Sequence, residues 1–177
     1  MTDVQQRVDA SRHEASRHLT FAQLEAGLHA LPPAPKDSGR LTGIVRSPVS
    51  EVRELLSQAR LSPEAGLPGD KWGARASRKL EAQLAVMQQG VAELIANGQS
   101  LALFGDNLIV DLDLSVANLP IGSRLRVGGA VVEVTPLPHD GCSKFKARFG
   151  SDALRFVNTP PMRDRKSTRL NSSHVSE

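Results

Sequence analysis

Tyrosine is absent from this chain of 177 residues, tryptophan and cysteine occur once each, and phenylalanine five times. With aromatics at 3%, aliphatic side chains have to fill most of the core. A single cysteine rules out an intrachain disulfide and any zinc site built on paired cysteines, so Cys142 matters, where it matters, as a thiol. No apolar run approaches the roughly 20 residues that cross a bilayer. Arg7, Asp9, Arg12 and Glu14 stand where a secretory signal would carry its apolar segment. A cytoplasmic protein with no membrane partner is expected. Charge of one sign is also scarce: 22 basic against 19 acidic residues leave +3. Arg163, Arg165, Lys166 and Arg169 cluster near the C-terminus, but elsewhere acids and bases alternate, as in Glu51-Val52-Arg53-Glu54, which reads as a solvated surface. A nucleic-acid face would gather Lys and Arg on one element with aromatics between them, and none is seen, so no nucleic-acid partner is expected.

What is present fits one domain with an extension. Residues up to about His18 are polar without periodicity and read as a loosely docked arm. Thr20 and Gln23 then fit a capping box, and Phe21, Leu24, Leu28 and Leu31 recur at helical spacing until Pro32-Pro33. The stretch from Pro32 to Gly39 reads as a linker, so 1–39 form an arm and amphipathic helix ahead of a body that starts at Arg40. In that body Leu41–Val45 and Val52–Leu56 read as strands, and the two prolines and two glycines between Pro63 and Asp70 require an irregular loop. Leu84, Met87, Val91, Leu94 and Ile95 predict one helix over Leu80–Ala96. Leu108, Val110, Leu112 and Leu114 alternate as in a half-buried strand, and Gly128-Gly129 between two β-branched runs predicts a tight hairpin. Two short helices are expected after Cys142, over Ser143–Phe149 and Asp152–Val157, with Pro160-Pro161 ending the second.

Cys142 therefore falls where a loop gives way to a helix. Unpaired backbone N–H groups at a helix start, with Lys144, Lys146 and Arg148 close by, favour a thiolate suited to nucleophilic attack, sulfur carriage or soft-metal ligation. The competing reading is a buried, inert small hydrophobe. Gly141 permits close approach of a ligand to the backbone, and His139 suits a general base or a ligand contact, or a solvated loop. Asp70, after Gly69 at the tip of Gly66-Leu67-Pro68-Gly69-Asp70, suits a ligand contact or a plain turn. The glycines there match neither the Walker nor the dinucleotide fingerprint. His13, His18 and His29 show no metal-ligand spacing and are expected at the surface.

The succession Gly105-Asp106-Asn107-Leu108, Asp111-Leu112-Asp113-Leu114-Ser115, Asn118-Leu119-Pro120-Ile121-Gly122, Arg124-Leu125-Arg126-Val127-Gly128, His139-Asp140-Gly141-Cys142-Ser143-Lys144-Phe145 and Arg148-Phe149-Gly150 resembles the MOSC family, named for the C-terminal domain of molybdenum-cofactor sulfurases. The resemblance runs from about Arg40 to Asn158. It implies a mainly β fold with short helices, a MOSC-type β-barrel preceded by the N-terminal helical extension. It also implies that Cys142 carries sulfur as a persulfide or ligates molybdenum, with His139 assisting and with Gly69, Asp70, Asn107, Gly141, Lys144 and Arg148 lining a site for molybdenum cofactor (molybdopterin). The family is associated with pyridoxal phosphate enzymes, and its relatives that reduce N-hydroxylated compounds use the metal. A small-molecule substrate or cofactor, and a protein that donates sulfur or electrons, are the partners so implied. The sequence departs from the family at Lys71-Trp72, where a histidine often follows.

Three functions are thus open: a sulfur carrier or cofactor-binding protein acting through Cys142, a molybdenum-dependent reductase, and a non-catalytic binding module whose cysteine is structural. The stretch 166–177 has almost no apolar content and is expected to be disordered. It resembles the translation of sequencing-adapter DNA, so the body, 40–165, is expected to lack its closing strands. Resequencing from intact genomic DNA should give a different sequence beyond Arg165, and recovery of the same tail would refute this.

Overall fold

The structure, a computed structural model, describes residues 3–159 and a strand over 167–175. Eight strands form one mixed sheet: β1 (Val4–Asp9), β2 (Arg40–Arg46), β3 (Val52–Leu56), β4 (Leu84–Gln88), β5 (Leu108–Asp111), β6 (Arg124–Val127), β7 (Ala130–Val134) and β8 (Ser167–Val175), in the order β1-β3-β2-β5-β4-β8-β7-β6. Four helices accompany it: α1 (Phe21–Ala30), α2 (Gln89–Ala96), α3 (Ser143–Phe149) and α4 (Ser151–Asn158). Neighbouring strands are antiparallel except β4 and β5, which α2 joins by the crossover that a parallel pair requires.

The local signals act as read at several places. Thr20 Oγ1 accepts from Gln23 N, and the Gln23 side chain returns to Thr20 N, the reciprocal box expected at the head of α1. The Gly128-Gly129 turn closes the β6–β7 hairpin with Val127 opposite Ala130. Helices α3 and α4 follow Cys142 as expected, while Pro160-Pro161 lie outside the described residues.

Other expectations need correction. The arm is no loose appendage: β1 pairs antiparallel with β3, placing Arg7 opposite Glu54, and so occupies an edge that β3 would otherwise expose. The linker is also tied down, Asp113 N donating to Pro35 O at 2.8 Å. Instead of one helix over Leu80–Ala96, the chain forms a 3-10 turn at Leu80–Ala82, then β4, then α2. Leu84–Met87 are buried on both faces of the sheet, and such a strand carries a continuous apolar run that periodicity cannot separate from a buried helix. Among the described residues the sheet does not close into a barrel, since β1 and β6 remain its two edges. The tail expected to be disordered contains β8, which pairs with β4 on one side and β7 on the other. Backbone N–H and C=O groups of β4 and β7 find partners there, and that pairing asks little of the side chains supplied.

The sheet separates two cores. On one face Ile44, Leu56, Leu84, Val86, Leu108, Val110, Val132 and Val134 gather with Leu61 and Leu67 from the long loop. Strands β2 and β7 stand far apart in the strand order yet contribute to this cluster, so the sheet is strongly curled. On the other face the helices pack over Met87, and all five phenylalanines belong to that layer. Phe104 and Phe149 stack at 4.2 Å between ring centroids, with Phe145 at 4.9 Å from Phe149. The scarce aromatics are thus concentrated where α3, the helix that follows Cys142, is anchored. Phe149→Ala should lower unfolding free energy by about 3–5 kcal/mol, measured by urea denaturation. A loss under about 0.5 kcal/mol, typical of a surface change, would show that α3 is not held by this stack.

Candidate functional site

Cys142 is exposed and takes the N-cap position of α3 in extended conformation (φ −120, ψ −178), with no hydrogen bond from its side chain to the helix. Its carbonyl begins the helix by accepting from Lys146 N at 3.0 Å. The residue borders a cavity of about 120 Å³ shared with Arg53, Lys71, Asp106, His139 and Lys144. Asp140 and Gly105 also border it. A larger cavity, about 760 Å³, lies instead between β2, the segment after β3 and the β6–β7 turn, and it shares no lining residue with the thiol.

Of the three cations expected to tune the thiol, Lys146 does not border the cavity, and Lys144 and Arg148 border it but are paired with an acid. Lys144 Nζ donates to Glu51 Oε1 at 2.7 Å and to Ser50 Oγ at 2.6 Å. Arg148 is buried, pairs with Glu51 Oε2, and donates to Leu103 O at 2.8 Å and Ala10 O at 3.1 Å. Glu51 reaches both from a left-handed backbone conformation, φ +61, that side chains seldom adopt. The hydrogen bond from Lys144, opposed by burial and reinforced by Arg148, holds the Glu51 carboxyl down at about 2.

The cations without acidic partners are residues that sequence reasoning missed. Arg53, read as part of a solvated surface, is only 2% exposed, and Glu54 beside it is equally buried. Glu54 accepts from Arg46 Nε at 2.7 Å and from Arg7 Nε at 3.0 Å. Burial opposes its ionisation, but these two bonds prevail and its carboxyl stays below the usual range. Arg53 has no such acid among the described residues: Nη1 donates to Val52 O at 3.0 Å, and buried Nε has no partner. Burial, and then the charge of Arg148, push its guanidinium below the ordinary value. Lys71 is half-buried, forms no ion pair among the described residues, and is likewise pushed down by burial and by Arg53. Strand alternation gave no signal for Arg53: it and Glu54 are consecutive residues of β3 and both are buried, because β3 lies between β1 and β2.

His139 is in the cavity, its Nδ1 3.2 Å from Asp106 Oδ1. Asp70 and Asn107 are not. Asp70 accepts from Ser47 N at 2.8 Å, Trp72 N at 2.9 Å and Asn107 Nδ2 at 3.2 Å, while Asn107 Oδ1 accepts from Ala85 N at 3.1 Å. The pair is a buried latch binding the long loop to the turn after β2 and to β4. Gly69 sits at φ +82, where a Cβ would stand 3.0 Å from Arg46 Nη1. Gly141 borders the cavity and also packs against α4: a Cβ there would be 2.7 Å from Leu154 Cδ1, and Gly141 N donates to Asn158 Oδ1 at 2.8 Å. His18, expected at the surface, binds Arg148 O through Nε2 at 3.0 Å.

The Glu51 clamp makes a pH test. A carboxyl lowered in the folded state stabilises fully above its ordinary value near 4.5 and loses that contribution as pH falls through about 2. Glu51→Gln should therefore lower the melting temperature above pH 4.5, and the gap from the parent protein should narrow as pH approaches 2. A gap independent of pH would remove the clamp from the account.

No protein-family model and no curated protein matches the chain. Among solved structures, a crystal structure titled as that of an hypothetical protein aligns at 19% identity and a TM-score of 0.58, over 77% of this chain and 62% of the other. The chain thus spans under two thirds of that protein's length. YiiM from Escherichia coli aligns at 19% identity and a TM-score of 0.49, over 78% of this chain and 72% of the other. At such identity the first of these likenesses is one of fold: a small mixed α/β domain, a curled sheet with short helices.

Proposed function

We propose that this chain is a MOSC-type module in which Cys142 carries sulfur as a persulfide. The observation that carries the reading is an exposed thiol sharing a small cavity with Arg53 and Lys71, two cations that have no acidic partner among the described residues. A persulfide is an anion at neutral pH, and cations held nearby in a partly desolvated pocket favour it over the free thiol. The order of the motifs around Cys142 supports the same assignment.

In the reaction the Cys142 thiolate attacks the outer sulfur of a donor persulfide. An Sγ–S bond forms, the donor's S–S bond breaks, and the electron pair leaves with the donor thiolate. His139, held by Asp106, is placed to exchange a proton at the cavity, and Lys144, fixed by Glu51, closes one side of it.

The molybdopterin that the resemblance implies does not fit this cavity as shaped. Ligand pockets of that class run to roughly 300 Å³ and above, against about 120 Å³ here, and among the described residues no three His, Cys, Asp or Glu side chains converge to hold a metal. Asp70 and Asn107, residues the resemblance assigns to the cofactor, are bonded to each other and to the backbone away from the cavity. A structural cysteine is disfavoured by the exposure of Cys142 and by its lack of a capping bond.

Incubation with cysteine persulfide should add one sulfur to the protein at Cys142, read by intact-protein and peptide mass spectrometry. Cys142→Ser should take up none while unfolding within about 0.5 kcal/mol of the parent, as for other exposed positions. Equal uptake by the serine variant, or none by the parent, would overturn the proposal. Stoichiometric molybdenum in the purified protein would favour the reductase instead.

A further inference from the structure

Arg53 poses the unsolved problem of this pocket. Burying a guanidinium whose Nε meets no acceptor is costly unless something completes the group, and Arg53 is 2% exposed with that atom unpartnered. Gly105 keeps the space beside it open: at φ +79, a Cβ would stand 3.0 Å from Arg53 Nη2 and 3.1 Å from Nε. Lys71 brings a second cation to the same cavity. The acid nearest in sequence to Lys71 is Asp70, whose carboxylate is already taken by Ser47, Trp72 and Asn107. Asp106 is turned to His139, and Glu51 to Lys144 and Arg148. Among the described residues, then, Lys144 and Arg148 are paired with Glu51, while Arg53 and Lys71 feel carboxylates only at longer range and border a cavity of about 120 Å³, room for an ion of a few heavy atoms. A guanidinium fork and an ammonium together match a tetrahedral oxyanion, which offers several acceptors and two negative charges.

We infer that Arg53 and Lys71 bind a small divalent oxyanion beside Cys142, and that this oxyanion is itself the sulfur donor, of the thiosulfate class. The inference rests on the persulfide reading and adds its donor. The Cys142 thiolate attacks the sulfane sulfur of thiosulfate, and a new Sγ–S bond forms. The sulfane–sulfonate bond breaks, and its electron pair leaves as sulfite. Three negative charges enter and three leave, as a persulfide anion and a sulfite dianion, with no outside oxidant or reductant. Arg53 and Lys71 hold the sulfonate oxygens and stabilise the departing sulfite.

The test compares two donors on the intact chain. With thiosulfate, the parent protein should gain one sulfur at Cys142 and release an equal amount of sulfite, and added sulfate should compete. Lys71→Gln and Arg53→Lys should each slow loading from subsaturating thiosulfate by roughly tenfold or more, the worth of one charge-assisted hydrogen bond. Loading from cysteine persulfide, whose product the same cations stabilise but which brings no divalent oxyanion, should slow by a clearly smaller factor, and this arm also reports that a variant is folded. Loading of the parent by cysteine persulfide but not by thiosulfate would overturn the oxyanion site and leave the carrier standing. Equal loss with both donors, or with neither, in the Lys71 variant would also overturn it. Failure of both donors on the parent would sink the carrier and this inference together.

Discussion

Glu51 is the acid on which the cavity depends. From a strained left-handed position it receives Lys144 and Arg148, two cations one helical turn apart on α3. Arg148 extends the contact to the end of β1 through Ala10 O and to the 3-10 turn Leu101–Phe104 through Leu103 O. A buried arginine satisfied in this way fixes the end of α3 relative to the sheet, Lys144 holds its start, and the two together set the position of Cys142. Charge here serves placement: a seven-residue helix is too short to be stable by its own hydrogen bonds, and the ion pairs together with the phenylalanine stack supply what it lacks.

That division of labour gives the basic residues of the site two different meanings. Those on α3 are structural because an acid faces them. Those on β3 and the long loop make no ion pair among the described residues and feel carboxylates only at longer range, so burial still pushes both of them down. Uncompensated charge in a cavity is where binding energy is available, since an anion entering it recovers part of what burial has taken away. The Asp70–Asn107 latch does the complementary task. It draws the glycine-rich loop onto β2 and β4 and so delivers Lys71 to the cavity without itself reaching it.

The architecture around the site follows from a curled sheet with different cores on its two faces. Aliphatic residues of β2, β4, β5 and β7 fill the concave side, where branched chains at alternate positions pack well. The flat, stackable phenylalanines fill the helical side. The cavity beside the β6–β7 turn lies where that turn curls towards β2 and the segment after β3 without pairing with them among the described residues.

By itself the sequence determined the local grammar: the capping box at Thr20, the Gly-Gly hairpin, the strands β2 and β3, and a helix beginning just after Cys142. Each depends on residues within a few positions of one another, so chain order is enough to read it. It also indicated the thiol and His139 as neighbours, because only two residues separate them. Tertiary structure decided the rest. It split the apolar run at Leu84 into a strand and a helix, because burial on both faces erases periodicity. It drew the polar arm and tail into the sheet, because backbone pairing needs no apolar signal. It also reversed the roles of the charged residues, since whether a cation is neutralised or left facing a cavity depends on which acid the fold brings to it, and the acid that meets Arg148 lies 97 residues away.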